Sequence, residues 1–239
     1  MEMLRRERAN IDNLIGLWQL MGATHVAEGL YRSTRWPHRC WHSPDRQAAE
    51  GRNAIACIPA HYLFPVWHAG ESSRVLESAL SQHGLEVGLE QLAMILPLEA
   101  YTPPPADARL NVSLIDSRQQ ARQWSDLCGR AFGYRLDVDV IDQLRRQADV
   151  EVLWAQGEGR SLATAILYRT GPVMGVHQVG VPPELQGQRI AYALMCVLLA
   201  RAQLAGAEYV CLQASAAGEP LYRKLGFQPQ FSIRSYRRA

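Results

Sequence analysis

The chain has 239 residues, of which 48% are apolar and 20% are charged, and its formal net charge is +2. These values exclude disordered and fibrous classes and give no support for a nucleic-acid partner. The first ten residues are charged, no apolar signal segment follows them, and the longest apolar run, ALMCVLLA, is too short to span a bilayer. The five cysteines are scattered and odd in number, which favours a reducing cytoplasm over a disulfide framework. Because no segment is long and apolar enough to span a bilayer, we expect no membrane partner.

The N-terminal part of the chain predicts a small α/β domain over residues 1–101. Apolar side chains at helical spacing indicate a first helix, namely Ile11, Leu14, Ile15 and Trp18. Residues 75–82 predict a second helix, and the segment GLEVGLEQLAMILPL predicts one strand or two. Three consecutive prolines in YTPPPADA cannot lie inside a helix or a central strand, so we predict a stiff linker over 102–108.

A second domain, over residues 109–239, alternates strands and helices. RLNVSLI predicts a strand, and Ser117 predicts the N-cap of a helix over Arg118–Phe132. A short helix over 137–147, a hairpin turning on Gly157 and Gly159, and the strand VMGVHQVGV follow. A helix after Gly187, the strand EYVCLQAS, the helix EPLYRKLG and the strand FQPQFSIRSYRR complete the order β-α-α-β-β-β-α-β-α-β. This order predicts an α/β fold with a mixed sheet and helices on its faces.

The segment VGVPPELQGQRIAYAL, residues 179–194, has the pattern of a strand, a polar turn and a helix. Pro182 and Pro183 end the strand, and Gly187 permits a tight turn. The first N–H groups of a helix have no intrahelical partner and lie at its positive dipole end, so the turn is a candidate site for a phosphate or pyrophosphate. Every helix has an N-terminus, so this segment alone does not identify a function.

Two motifs in order make residues 109–239 resemble the GNAT superfamily of acyl-CoA-dependent N-acetyltransferases. The family pattern V-x-P-x-x-(Q/R)-x-x-G-x-(G/A) resembles VPPELQGQRIA, residues 181–191, and the later L-Y-x-x-L-G-F resembles LYRKLGF, residues 221–227. Arg189 is a departure, because it stands at the family's central glycine. The resemblance implies a GNAT fold. A faint internal echo, LESALSQHGLEVGLEQ against LYRKLGFQPQFS, leaves open that the first domain is a degenerate GNAT-like half.

The resemblance implies that acetyl-CoA binds at this turn as the acetyl donor. It assigns the pantetheine arm to the backbone of Val179, Gly180 and Val181, in the manner of an added strand. The residues of the turn that it implies in cofactor binding are Gln186, Gly187, Gln188, Arg189, Ile190, Ala191 and Tyr192. Ser215 stands where many relatives have an asparagine that holds the arm.

Acetyl transfer to an amine needs a neutral amine, a stabilised thioester oxygen and a protonated leaving thiolate. The resemblance implies Tyr222 as the general acid; a tyrosine packed under its helix is the structural alternative. His177 is the candidate base, because an imidazole accepts protons near neutral pH and strand alternation places it on the face of Val179. A half-buried histidine with a satisfied hydrogen bond explains it equally well. Glu219 and Gln213 are weaker candidates.

The segment WPHRCWH raises the question of a metal site in the N-terminal domain. His38, Cys40 and His42 alternate, and His61 and His68 follow, but they form no recurrent zinc spacing. We therefore predict that the protein binds no metal.

Two further sets of residues receive structural interpretations. Trp36 and Trp41, each beside an arginine, could stack on single-stranded nucleic acid, but an aromatic-rich edge strand explains them better. Cys196 and Cys211 lie in apolar runs, and direct transfer needs no acyl-enzyme, so both are predicted to be core residues.

The sequence thus predicts an N-acetyltransferase that moves an acetyl group from acetyl-CoA directly to a small-molecule or peptide amine. The alternative is a non-catalytic CoA-binding or sensing module, in which Arg189 marks a lapsed site. Asp137 and Asp139 could attract a cationic amine, and helix capping explains them as well. Only about a dozen residues follow Gly226, so the sheet is either short or completed by the other domain or a second chain. A homodimer is an expectation at the level of the family.

Overall fold

The structure, a computed structural model, describes residues 2–27, 29–43, 55–67, 71–105 and 110–238. The α-helices are α1 (Glu2–Leu20), α2 (Glu71–Gln82), α3 (Arg118–Phe132), α4 (Val138–Leu144), α5 (Ile190–Leu204) and α6 (Glu219–Lys224). The strands are β1 (Ala23–Ala27), β2 (Leu30–Ser33), β3 (Cys40–His42), β4 (Phe64–Trp67), β5 (Leu85–Pro97), β6 (Asn111–Leu114), β7 (Val150–Gly157), β8 (Arg160–Thr170), β9 (Val173–Gly180), β10 (Tyr209–Ala214) and β11 (Gln228–Arg238). From β6 to β11 the order of elements is the one predicted from the sequence. Within the described ranges, no helix is both long enough and apolar enough to cross a bilayer.

The chain divides into two compact units, each made of separate stretches of sequence. Unit 1 contains Met1–Ile11, Trp18–Met94 and Gln213–Ala239, and unit 2 contains Asp12–Leu17 and Ile95–Leu212. These boundaries differ from the proline-rich linker over 102–108, of which residues 106–108 lie outside the described residues. The division into domains 1–101 and 109–239 stays a prediction about which parts fold independently.

Unit 1 combines strands from both ends of the chain. Strands β1, β2 and β3 form an antiparallel sheet in that order. Strand β11 lies between β4 and β5, and its antiparallel register with β4 sets Ile233 opposite Trp67 and Tyr236 opposite Phe64. The sheet around the last strand is therefore completed by strands from the N-terminal part of the chain. This is one of the alternatives that the sequence left open.

The N-terminal elements that were predicted are present, with one difference in bounds. Helix α2 begins at Glu71, earlier than the predicted residue 75. The segment after Gly84 forms one strand, β5, which is one of the two predicted outcomes. An apolar core holds these elements together, since burial of each large aliphatic side chain contributes about 1.5–3 kcal/mol. Its buried members are Leu30, Cys40, Ile55, Ile58, Phe64, Val66, Leu76, Ala79, Leu80, Leu85 and Tyr236.

Unit 2 contains the mixed sheet that the sequence predicts. Its strands have the order β10-β9-β8-β7-β6, with β9 and β10 parallel and the other pairs antiparallel. Helix α3 begins after Ser117, whose Oγ accepts a hydrogen bond from Gln120 N–H at 3.2 Å, as predicted. Helices α3 and α5 both pack against β8 and β9. The Trp124 indole N–H, buried in α3, donates to Leu153 O at 2.7 Å and so fixes the helix on the sheet.

A β-bulge interrupts β9 near its C-terminal end. Ile166 of β8 is opposite His177, but Thr164 is opposite Gly180, so β9 has one residue more than its partner strand over this interval. Cross-strand partners share a face of a sheet, so His177 lies on the same face as Gly180, and Val179 lies on the other face. The predicted alternation of His177 with Val179 is therefore wrong, because the extra residue changes the phase of the strand.

Candidate functional site

The loop that leaves β9 is held by hydrogen bonds of its own residues. Pro182 has extended backbone, and a 3₁₀ turn over Pro183–Leu185 follows it. The side-chain Nε2 of Gln186 donates to Val181 O at 3.1 Å and closes the loop. Glu184 forms an exposed ion pair with Arg130 of α3 at 2.7 Å. The glutamine of the motif thus stabilises the loop that leads to α5.

Two residues in the left-handed region turn the chain into α5. Gly187 has φ 78° and Arg189 has φ 62°. This region costs a residue with a β-carbon about 1–2 kcal/mol, which is a physical reason for glycine at the position of Arg189 in the family that the sequence resembles. Arg189 therefore retains the backbone conformation of a glycine at an energetic cost. Around Gly187, no described heavy atom beyond its chain neighbours lies within 4 Å of where a Cβ would be, so the turn is open on that side.

The first turn of α5 presents backbone donors beside this opening. The helix has 15 residues, and the N–H of Ala193 donates to Arg189 O at 3.0 Å as its first intrahelical bond. The N–H groups of Ile190, Ala191 and Tyr192 precede that bond and lie at the positive end of the helix dipole. Gln188 and Arg189 are exposed on the turn. This arrangement can bind a phosphate or a pyrophosphate.

Strands β9 and β10 pair along only part of their length. Their parallel register joins residues 173–175 to residues 209–211, whereas β9 continues to Gly180. The backbone of Val179, Gly180 and Val181 lies beyond this paired section. Such backbone can hydrogen-bond to an extended ligand arm as a further strand would.

Gly180 lies against the end of α3. A Cβ at this position would come within 2.9 Å of the Ala131 Cβ and of the Phe132 ring, and within 3.0 Å of Thr164 Oγ1. Thr164 Oγ1 in turn donates to Gln178 O at 3.1 Å. The glycine is therefore required by close packing of helix and strand at the bulge.

Gln178 is a residue of this region that the sequence analysis did not identify. It occupies the bulge with φ 51°, and its Oε1 accepts from Tyr134 Oη at 3.2 Å and from Cys128 Sγ at 3.4 Å. The exposed Tyr134 ring stacks on that of Phe132, with 5.7 Å between centroids. Non-glycine residues in strained conformations cluster at functional sites. The sequence did not predict the bulge, because a bulge is a shift in register between two paired strands and the sequence of one strand does not show the pairing.

His177 is buried, with 7% of its surface exposed. Its Nε2 lies 2.9 Å from Oδ1 of Asn13, a residue of α1 that belongs to unit 2. This is the geometry of the structural alternative, a histidine with a satisfied hydrogen bond. The role of His177 as a base stays a prediction. Asn13 itself was missed, although two asparagines three residues apart beside an apolar helical stripe would have indicated buried amides.

The loop, the bulge and the turn before α5 lie within one stretch of sequence that matches a known family. Residues 148–229 match the family described as Acetyltransferase (GNAT) domain. These residues form a GNAT domain. The match includes both motifs on which the resemblance was based, so the predicted family is confirmed. No curated protein matches the chain.

Solved structures show that the GNAT fold extends over most of the chain. A GCN5-related N-acetyltransferase from Kribbella flavida is 17% identical with a TM-score of 0.68, covering 96% of this chain and 94% of its own. A GNAT-family protein from Novosphingobium aromaticivorans is 15% identical with a TM-score of 0.63, covering 96% of this chain and 97% of its own. A tandem GNAT protein from the clavulanic acid biosynthesis pathway is 13% identical with a TM-score of 0.60, covering 87% and 76%. At these identities the similarity shows the fold.

Tyr222, the predicted acid of the GNAT domain, is buried in unit 1 with 9% of its surface exposed. Its ring meets Phe227 of the same motif edge-on, with 5.8 Å between centroids. Burial raises the pKa of its hydroxyl to about 12. The hydroxyl is therefore protonated throughout the neutral pH range. A general acid must be protonated, but a tyrosine that only packs under its helix is protonated as well.

Ser215, predicted to contact the pantetheine arm, is exposed at the end of β10. Its Oγ accepts a hydrogen bond from the backbone N–H of Gly218 at 3.2 Å and so shapes the turn before α6. A hydroxyl keeps its own donor when it accepts, so Ser215 can still donate to a ligand.

The cysteines of the GNAT domain have the surroundings of core residues. Cys196 and Cys211 are both buried. Burial raises the pKa of both thiols, to about 12 for Cys211. A nucleophilic cysteine needs a thiolate near neutral pH, so neither side chain is activated for an acyl-enzyme.

The segment with His38, Cys40 and His42 has structural roles in unit 1. His38 lies outside the strands, in a left-handed conformation, and its ring meets Tyr62 edge-on. Burial raises the pKa of the Cys40 thiol to about 12, and His42 Nδ1 lies 3.2 Å from Gly29 O. His68 lies outside the described residues. In the described part of the chain, no three His, Cys, Asp or Glu side chains come together as a metal site.

Other candidates also have partners within the protein. Trp36 and Trp41 are buried and so present no stacking surface, and β3 lies at an end of its three-stranded sheet, as expected of an edge strand. Asp137 caps α4 by accepting from Asp139 N–H at 2.9 Å, and Asp139 forms an exposed ion pair with Arg118 at 2.7 Å. The capping interpretation is confirmed for Asp137.

The two weaker catalytic candidates lie in unit 1. Gln213 donates to Asn10 Oδ1 at 2.7 Å, and Glu219 pairs with Arg223 one turn along α6 at 2.6 Å. Gln213 thus links β10 to α1, and Glu219 stabilises its own helix.

Proposed function

We propose that the protein is an N-acetyltransferase that moves an acetyl group from acetyl-CoA directly to a small-molecule or peptide amine. The observation that carries this proposal is the left-handed pair Gly187 and Arg189 before α5, inside the segment that matches the GNAT family. The turn that these two residues form is open at Gly187 and directly precedes the N-terminus of a 15-residue helix. A phosphate or pyrophosphate is a group that such a helix end binds well.

The residues of unit 2 fit the two polar parts of acetyl-CoA. The N–H groups of Ile190, Ala191 and Tyr192, with the open side of Gly187, suit the pyrophosphate. The backbone of residues 179–181, beyond the section of β9 that pairs with β10, suits the amides of the pantetheine arm. Arg189 adds a guanidinium with a donor fork that matches phosphate oxygens. Ser215, a residue of unit 1, carries a hydroxyl donor that the resemblance assigns to the arm.

The proposed chemistry assigns one task to each of two side chains. The amine attacks the thioester carbon as a neutral nucleophile, and the C–S bond breaks to release the thiolate. Tyr222 donates its proton to that thiolate; its pKa of about 12 keeps the hydroxyl protonated at neutral pH. His177 accepts the proton that the amine loses, directly or through a water.

The test combines titration calorimetry with a thiol-release assay. We expect acetyl-CoA to bind and free CoA to appear with at least one amine of a panel. The panel includes arylalkylamines, aliphatic amines, amino sugars and peptide N-termini, the first because Phe132 and Tyr134 present exposed rings next to Gln178. Binding without turnover on every amine would favour the CoA-sensing module, and absence of binding would contradict both functions.

Assembly and location are separate parts of the proposal. We infer a homodimer and a cytoplasmic location from the family and the composition. Sedimentation velocity measures the first, and a tagged protein in fractionated cells measures the second.

A further inference from the structure

The side chain of Asn13 is fully buried on α1 and makes two donor contacts to β8. Its Nδ2 lies 3.0 Å from Tyr168 O and 2.8 Å from Thr170 Oγ1. A backbone carbonyl is only an acceptor, so the atom of Asn13 that faces Tyr168 O must be the amide nitrogen. The orientation of the carboxamide is therefore fixed by β8 and not by His177.

This orientation leaves Oδ1 of Asn13 facing the ring of His177. The Oδ1 atom lies 2.9 Å from His177 Nε2, and a carboxamide oxygen can only accept a hydrogen bond. The ring nitrogen must then be the donor. We infer that Asn13 is a positioning residue that fixes His177 in the tautomer with the proton on Nε2 and the lone pair on Nδ1.

Gly175 gives this pair the space it occupies on β9. A Cβ at Gly175 would overlap both Asn13 Oδ1 and His177 Nε2, so any other residue would displace one of the two side chains. A glycine two residues before His177 is thus a structural requirement of the hydrogen bond. The three residues belong to unit 2 and form one arrangement of α1 and β9.

The tautomer has a consequence for the reaction, and this step rests on the proposed function. If His177 is the base, the atom that accepts the proton is Nδ1, and the imidazolium that forms keeps its Nε2–H bond to Asn13. The asparagine then stabilises both states of the ring without taking the proton. The N-terminal helix would in this way orient a group of the GNAT domain.

The tautomer is measured in the protein without cofactor. The protein is labelled with ¹⁵N-histidine, long-range ¹H–¹⁵N correlations are recorded at pH 8.5, and the His177 ring is assigned by its loss in His177→Gln. We expect the pattern of a ring protonated on Nε2 alone. In Asn13→Ala we expect that pattern to change to a mixture of both tautomers. A wild-type ring protonated on Nδ1, or on both nitrogens, would overturn the inference, as would an unchanged ring in Asn13→Ala.

A matched control separates this effect from a general loss of stability. Asn10 is equally buried on α1, and its Nδ2 donates to Met94 O at 3.1 Å. Asn10→Ala should lower the unfolding temperature while the His177 tautomer remains that of the wild type; a changed tautomer in this variant would contradict a specific role for Asn13. If Asn13→Ala does not fold, Asn13→Leu keeps most of the side-chain volume, lacks the amide, and should give the same mixture of tautomers. An unchanged ring in Asn13→Leu would then count against the inference.

The effect of Asn13 on catalysis is measured separately from its effect on the His177 tautomer. If acetyl transfer is found, Asn13→Ala should lower kcat at least tenfold with little change in KM for acetyl-CoA, and Asn13→Gln should not restore it, because the longer side chain misplaces the amide. If no amine is acetylated by the wild type, the proposed function fails and the tautomer result still stands on the spectrum.

Discussion

The guanidinium carbon of Arg189 lies 5.6 Å from the centre of the Tyr192 ring, one turn further along α5. The contact is a cation–π interaction, which contributes about 0.5–1 kcal/mol at an exposed site. It offsets part of the cost of placing an arginine in the left-handed region at the start of the helix. The cation is thereby held beside the backbone donors that we propose to bind a pyrophosphate.

Replacing Arg189 separates the effect of its backbone from that of its charge. We expect Arg189→Gly to leave the Kd for acetyl-CoA within about tenfold of wild type, roughly 1.4 kcal/mol, because relief of strain and loss of the guanidinium act in opposite directions. Calorimetry measures this. Arg189→Ala is the matched control, since it removes the charge and keeps the strain. Loss of more than tenfold in both variants would show that the guanidinium binds the cofactor, and a gain of more than tenfold in Arg189→Gly alone would show that strain limits the turn.

Tyr222 is expected to act in turnover and not in cofactor binding. We expect Tyr222→Phe to lower kcat by about 10²–10³-fold, the range of a general acid, with the Kd for acetyl-CoA within about threefold of wild type. Steady-state kinetics and calorimetry measure the two quantities. Tyr31→Phe, which removes a hydroxyl from β2, should keep the wild-type rate. A wild-type kcat in Tyr222→Phe would leave only the packing role against Phe227.

The pKa of Tyr222 predicts how stability depends on pH. Burial raises this pKa from an ordinary value near 10 to about 12, so between these values the folded chain holds a proton that the unfolded chain has lost. The contribution to stability is complete below about pH 10 and decreases as the pH rises toward 12. The urea midpoint of the wild type should therefore fall more between pH 9 and pH 11 than that of Tyr222→Phe. Equal falls would mean that the hydroxyl ionises as readily in the folded state as in the unfolded one.

Gly180 should not tolerate a side chain. We expect Gly180→Ala to reduce the free energy of unfolding by about 1–3 kcal/mol, because its Cβ would overlap Ala131, Phe132 and Thr164 Oγ1. Urea denaturation measures this. Gly187→Ala is the comparison, since its Cβ would meet open space and only the left-handed backbone, at about 1 kcal/mol, opposes it. A smaller loss at Gly180 than at Gly187 would contradict the tight packing of α3 on the bulge.

Local patterns in the sequence determined the elements of the second half of the chain and its family. The cap at Ser117, the hairpin between β7 and β8, and the two GNAT motifs all depend on residues within one element and its neighbours. Helix capping, turn formation and the position at which a helix begins depend on residues close in sequence. They can therefore be predicted from the sequence. The departure from the motif at Arg189 could also be recognised from the sequence, because the residues around it show that the family has a glycine at this position.

Pairings between distant residues were decided only by the tertiary structure. The register of β8 with β9 creates the bulge at Gln178 and moves His177 to the face opposite Val179. The hydrogen bond between Asn13 and His177 joins residues 164 positions apart, and the pairing of β11 with β4 joins the last strand to residues 64–67. Such contacts depend on which strand finds which partner and on the space that a glycine leaves, and no pattern confined to one segment contains that information. The sequence by itself therefore determined the family and the turn before α5, whereas the tertiary structure decided the orientation of the histidine, because its partner is set by packing and not by spacing.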